Sequence, residues 1–201
     1  MTEQFITLCS EGKLKDAQLY LLSYPISLNE FEDAFMMACS QGHLEVAQWL
    51  LQMNSMIDIS ADKEYAFRHA CYENHLEVAK WLLQIKPTID ISVNNESTFR
   101  NACDNGHLKV AQWLLSIKPT IDISTFKEWA FCCACENGHL KVAQWLLQIK
   151  PTIDISARNK YAFRSACSNG RLEVAQWLFQ MIEDIISTDE RKLYRWACEQ
   201  D

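Results

Sequence analysis

Apolar and polar positions recur along this chain with one dominant period. Phe35, Phe67, Phe99, Phe131 and Phe163 are each 32 residues apart. Cys39, Cys71, Cys103, Cys135 and Cys167 keep the same interval, as do Trp49, Trp81, Trp113, Trp145 and Trp177. The ends are looser, with Cys9 lying 30 residues before Cys39 and Cys198 lying 31 after Cys167. Within one period, from Tyr65 to Gln84, the residues Phe67, Ala70, Cys71 and Asn74 fall at i, i+3, i+4 and i+7, the stripe of a first helix. Asn-Gly pairs such as Asn105-Gly106, Asn137-Gly138 and Asn169-Gly170 follow; both residue types tolerate positive φ and predict a tight helix-to-helix turn. A second helix carries Leu76, Val78, Ala79, Leu82 and Leu83. Its polar residues Glu77, Lys80 and Gln84 form one narrow stripe, so most of its circumference is expected to be buried.

The linker IKPTIDIS occurs three times, from Ile85, Ile117 and Ile149. Pro87 cannot continue the helix and pushes Lys86 towards extended geometry. Ile89 and Ile91 alternate with Asp90, which predicts a short extended segment with one Ile tucked under the helices. Ser60, Ser92, Ser124 and Ser156 stand as candidate N-caps of the next first helix, with an Asp or Asn a residue or two later as competitor in some repeats. A 32-residue repeat is too short to bury a core alone, so neighbours must stack. The expected fold class is all-α: a solenoid of helix–turn–helix repeats with short extended loops. One domain over 1–201 divides into repeats of roughly 1–29, 30–61, 62–93, 94–125, 126–157 and 158–188, with a half repeat at 189–201.

Charge and composition narrow the function. The chain is 49% hydrophobic and 22% charged, which excludes a disordered or fibrous chain. Net charge is 19 − 26 = −7, which argues against nucleic acid and anionic membrane surfaces as partners. No basic-then-apolar leader follows Met1, and nine cysteines are an odd number, so an intracellular, reducing compartment is expected. The sequon Asn95-Glu96-Ser97 should then stay unused. Five of the nine cysteines occupy one buried small-residue position, where Cys acts as a compact hydrophobe. In the cluster Cys132-Cys133-Ala134-Cys135, Cys135 points about 160° away from Cys133 at 100° per residue, and no second ligand pair is spaced for zinc. No metal and no cofactor are expected. His43, His75, His107 and His139 recur at the turn and read as turn-fixing hydrogen bonders, and the Trp series reads as packing between repeats. No phosphate loop, His-Glu-x-x-His or Gly-x-Ser-x-Gly occurs, so an enzyme has no catalytic residues to assign.

These features resemble the ankyrin repeat. Ala70-Cys71 matches that family's small pair, Gly42-His43, Gly106-His107 and Gly138-His139 its turn, and Val78 to Leu83 its second helix. The phrasing YAFRxACxNGHLEVAQWLLQ is most similar to the ankyrin arrays of giant DNA viruses that infect amoebae. The resemblance covers essentially the whole chain. It implies a protein–protein interaction scaffold without catalytic residues and, by analogy with viral arrays, a host-cell protein as partner in the host cytoplasm. The family's Thr-Pro-Leu-His opening is replaced by Tyr65-Ala66-Phe67-Arg68, consistent with a first helix that starts earlier.

Two functions compete: a module that docks a protein partner on its concave face, and a spacer segment of a larger or oligomeric protein. A spacer should repeat both faces equally, whereas a binder should vary one. Opposite the first-helix core stripe lie Tyr65, His69 and Tyr72 in one repeat, then Asn101 and Asp104, then Trp129, Cys133 and Glu136, then Tyr161 and Ser165. The loop tips before them include Asn94, Phe126, Lys127 and Arg158. These rows change identity in nearly every repeat while the packing residues barely change, which favours binding. Tyr65, Phe126, Trp129 and Tyr161 are the expected anchors, because buried aromatics dominate interface energetics. At the C-terminal end a half repeat is expected to leave Leu178 and Phe179 partly uncovered, a surface for possible self-association.

Overall fold

The computed structural model describes residues 2–182 and 187–198. Every regular element among them is helical: α1 (Thr2–Ser10), α2 (Leu14–Ser23), α3 (Leu28–Ser40), α4 (Leu44–Met53), α5 (Ala61–Tyr72), α6 (Leu76–Ile85), α7 (Val93–Asp104), α8 (Leu108–Ile117), α9 (Thr125–Glu136), α10 (Leu140–Ile149), α11 (Ala157–Ser168), α12 (Leu172–Ile182) and α13 (Thr188–Cys198). The linkers fold as turns rather than strands. In them Ile57, Ile89, Ile121 and Ile153 are buried under the helices, while the second isoleucine of each is half-buried. The chain groups into two compact units, Met1–Thr98 and Phe99–Asp201.

In the N-terminal unit the first helices pack side by side, α1 on α3 and α3 on α5. Phe5, Phe35 and Phe67 are fully buried along that row, with Cys9, Cys39 and Cys71 beside them. The tryptophan of each following second helix closes over the phenylalanine before it. Trp49 lies 6.3 Å from Phe5, and Trp81 lies 6.2 Å from Phe35. The periodic Trp is therefore an inter-repeat packing residue. The C-terminal unit repeats the device, with Trp145 at 6.3 Å from Phe99 and Trp177 at 6.3 Å from Phe131. Phe163 is covered instead by Phe179 at 6.3 Å and Tyr194 at 6.2 Å, whose rings stack at 4.7 Å. Leu178 is fully buried and Phe179 half-buried, so α13 covers this end more completely than a half repeat leads one to expect.

The histidines do more than fix their own turn. Gly42 and Gly106 adopt φ of 81° and 75°, and a Cβ there would sit 2.4 Å from the His75 ring and 2.5 Å from the His139 ring. Each ring thus lies flat against the turn of the preceding repeat. His139 also bonds the Asp104 backbone, and burial lowers its pKa. Beside it, Asn137 Nδ2 donates to the Asp104 carbonyl at 3.1 Å. One repeat later Asn169 Nδ2 and Arg171 Nε donate to the Glu136 carbonyl at 3.3 and 3.4 Å. These bonds satisfy carbonyls that the end of a first helix leaves open.

The openings of the first helices depart from the sequence reading. The helix α5 does begin early, at Ala61, but Asp62, Lys63 and Glu64 take left-handed φ of 47°, 55° and 62°. Glu96, Glu128 and Lys160, each 32 residues on, repeat the left-handed value at 62°, 63° and 57°. Arg68 holds this turn, donating from Nε to the Lys63 carbonyl at 2.7 Å and from its guanidinium to Asp62 at 3.1 Å. Ser60, Ser124 and Ser156 occupy the N-cap position, yet none makes a side-chain cap bond. The reason is geometric. An N-cap needs extended ψ; Ser27, at ψ 163°, forms a full capping box with Glu30, whereas Ser60 sits at ψ 7°. The aspartates take over, as Asp58, Asp122 and Asp154 Oδ1 accept from the amides of Ser60, Ser124 and Ser156 at 2.9 to 3.0 Å.

Candidate protein-interaction surface

In the N-terminal unit the spacing i, i+4, i+7 brings three candidate residues together on α5. The Tyr65 and His69 rings stack at 3.9 Å and 21°, and Tyr72 approaches His69 at 6.0 Å. Desolvation, reinforced by Arg68, lowers the His69 pKa. Tyr72 is exposed, and Tyr65 and His69 are half-buried.

In the C-terminal unit the candidates come from α7, α9 and α11. Arg158, exposed at the start of α11, lays its guanidinium over two rings at once, 5.3 Å from the Trp129 centroid and 4.8 Å from that of Tyr161. The Tyr161 hydroxyl donates to Glu136 Oε2 at 2.8 Å, and this bond is the first cause raising its pKa to about 12. Asp104 Oδ1 accepts from Asn137 at 2.8 Å. Trp129 keeps 39% of its surface exposed. Ser165 turns its hydroxyl back to the Tyr161 carbonyl at 2.8 Å, and Asn101 is half-buried. Asn94, Phe126 and Lys127 lie outside the residues whose side chains are described.

Cys133 departs from the expected open row. It is only 5% exposed, and its thiol donates a hydrogen bond to Asp104, so it packs between neighbouring first helices rather than facing solvent. Burial first, then Asp104, pushes its pKa up to about 12, and burial raises Cys132 to about 11. Eight described cysteines are buried thiols. A thiol reagent at pH 8 should therefore modify these positions about a hundredfold more slowly than in denaturant, since the thiolate is the reactive form. Fast labelling of two or more thiols in the folded chain would contradict this assignment; the side chain of Cys198 lies outside the described residues. Among the described residues no three His, Cys, Asp or Glu side chains gather as metal ligands, and no helix is long and apolar enough to cross a membrane.

Sequence reasoning missed one further surface. On the second-helix side of the N-terminal unit, Leu19, Leu22, Trp49 and Met53 line an apolar groove of about 690 Å³. Leu22, 84% exposed, was the available signal, because other repeats place Gln52, Gln84, Ser116, Gln148 or Gln180 there.

Within each unit, stacked helix pairs with a recurring interior and a varied first-helix face define an all-α repeat scaffold. The chain belongs to the ankyrin-repeat family: the family model described as ankyrin repeats (3 copies) matches residues 6–95 and again 99–189. Among solved structures it is similar in fold to the human ASB11 ankyrin repeat domain, with a TM-score of 0.62 and 16% identity over 88% of this chain and 82% of that one. No curated protein matches the sequence. Ankyrin repeats are in general protein–protein interaction modules, a non-enzymatic class of scaffold.

Proposed function

We propose that this protein binds a partner protein through its first-helix face and the adjoining loop tips, with Tyr65, Trp129 and Tyr161 as anchors. The observation that carries the reading is the Trp129–Arg158–Tyr161 cluster, where a large aromatic stays 39% exposed on a helix whose opposite face is fully buried. A spacer has no use for such a residue. The buried thiols favour a reducing intracellular setting. That the partner is a host-cell protein rests on the viral phrasing of the repeats alone. Once a partner is purified, replacing Tyr65, Trp129 or Tyr161 by Ala should each cost about 2 kcal/mol of binding, a factor of roughly 30. Alanine at the exposed second-helix residues Gln112, Gln144 and Gln176 should change little. Binding that survives the first set, with the fold intact, and fails with the second would place the interface on the other side.

A further inference from the structure

Resting on that reading, we infer that the C-terminal unit takes an acidic segment of the partner, one carboxylate seated on Arg158 between Trp129 and Tyr161. The guanidinium carbon lies over two rings, at 5.3 and 4.8 Å; a guanidinium held on aromatic faces keeps its in-plane N–H donors for a carboxylate. The protein's own carboxylates nearby are engaged elsewhere. Glu136 accepts from Tyr161, Asp104 from Asn137, and Glu128 from the Ser124 hydroxyl at 2.8 Å. Lys160 is held by Glu190 at 3.2 Å in a pair whose side chains are only 17% and 10% exposed. Among the described residues no carboxylate forms an ion pair with Arg158 or with Arg164, and both are exposed.

The local charge also departs from the chain's. The helix α11 carries Arg158, Lys160 and Arg164 and no acidic residue, within a protein of net charge −7. Arg158 alone stands at the two rings, since Arg164 lies on the side of α11 that faces Asp189 and Glu190, and one cation suits an isolated carboxylate. A polyphosphate backbone needs a longer cationic row than this site offers. The half-exposed Trp129 ring offers an apolar wall to the residue next to the bound carboxylate. The occupant is thus an acidic peptide with interspersed aliphatic residues.

The test titrates the full chain into a fluorescein-labelled octapeptide carrying Glu-Glu-Leu twice, with a peptide carrying Gln-Gln-Leu twice as control, read by anisotropy. The Glu peptide should bind at least about tenfold more tightly than the Gln peptide and weaken with salt. Arg158→Gln should remove that preference, and Arg158→Lys should keep only part of it, because a point charge loses the fork and the stacking. Lys141→Gln, an exposed change on the second-helix side, should leave it intact. Equal binding of both peptides, no binding of either at about 1 mM, or an unchanged preference in Arg158→Gln overturns the inference. If Arg158→Gln lowers Tm, the wild-type peptide comparison and the Lys variant decide. With a purified partner, affinity lost in Trp129→Ala but kept in Arg158→Gln defeats the acidic contact alone. Affinity kept in both defeats the first-helix reading as well.

Discussion

Replacing Phe131 by Ala should destabilise the C-terminal unit by about 3–5 kcal/mol, the cost of a large core truncation that leaves a cavity. The side chain is fully buried and meets Trp177 of the next repeat at 6.3 Å. Its loss opens a void between two repeats rather than inside one. Stability in a repeat array is close to a sum of intrinsic and nearest-neighbour terms, so the deficit concentrates at that junction. In urea the mutant's midpoint should fall, and Trp177 emission should shift to the red before global unfolding. Leu22→Ala, at a position 84% exposed, should stay within about 0.5 kcal/mol of wild type. A Phe131→Ala loss under about 1.5 kcal/mol would mean that the junction collapses to refill the void, against the close packing described above.

That junction was legible in the sequence because it is periodic. Phe, Cys and Trp at 32-residue intervals are one physical environment sampled repeatedly, and their positions on a 100° wheel gave the buried stripe without any tertiary information. That one isoleucine of each linker is tucked was likewise readable, from the alternation of Ile89 and Ile91 with Asp90; that it is Ile89, in a turn rather than an extended segment, was not. Three further features were not legible. The left-handed turn at Asp62–Glu64 is held by Arg68 reaching back five and six residues, a bond that no local propensity announces. Cys133 lies on the face that a helical wheel calls open, but the wheel ignores the helices on either side, which bury it against Asp104. The Arg158 sandwich joins two repeats, so neither repeat's own pattern contains it. Periodicity reports what every repeat shares, and the candidate interface consists of what each does not share.

The histidine series is the bridge between those two kinds of information, and it supports the second large effect. Gly106→Ala should cost about 2–4 kcal/mol, about 1–2 from forcing a Cβ into the left-handed region and the rest from collision. The backbone there has φ of 75°, and the new Cβ would stand 2.5 Å from His139 Nδ1. Gly170→Ala is the matched comparison: φ is 64° and no atom lies within 4 Å, so only the conformational part, about 1–2 kcal/mol, should appear. Combining Gly106→Ala with His139→Ala should recover the collision part while losing the bond to Asp104, so the two changes should be strongly non-additive. Thermal or urea unfolding of these three variants and of His139→Ala alone measures this directly. If Gly106→Ala and Gly170→Ala cost the same, the ring does not press on the turn, and His139 would then act only within its own repeat. The unequal cost instead makes the Gly–His pair a register pin between stacked repeats. Asn74 shows what that pin demands of the backbone, since at φ 67° it keeps the left-handed turn with a residue other than glycine.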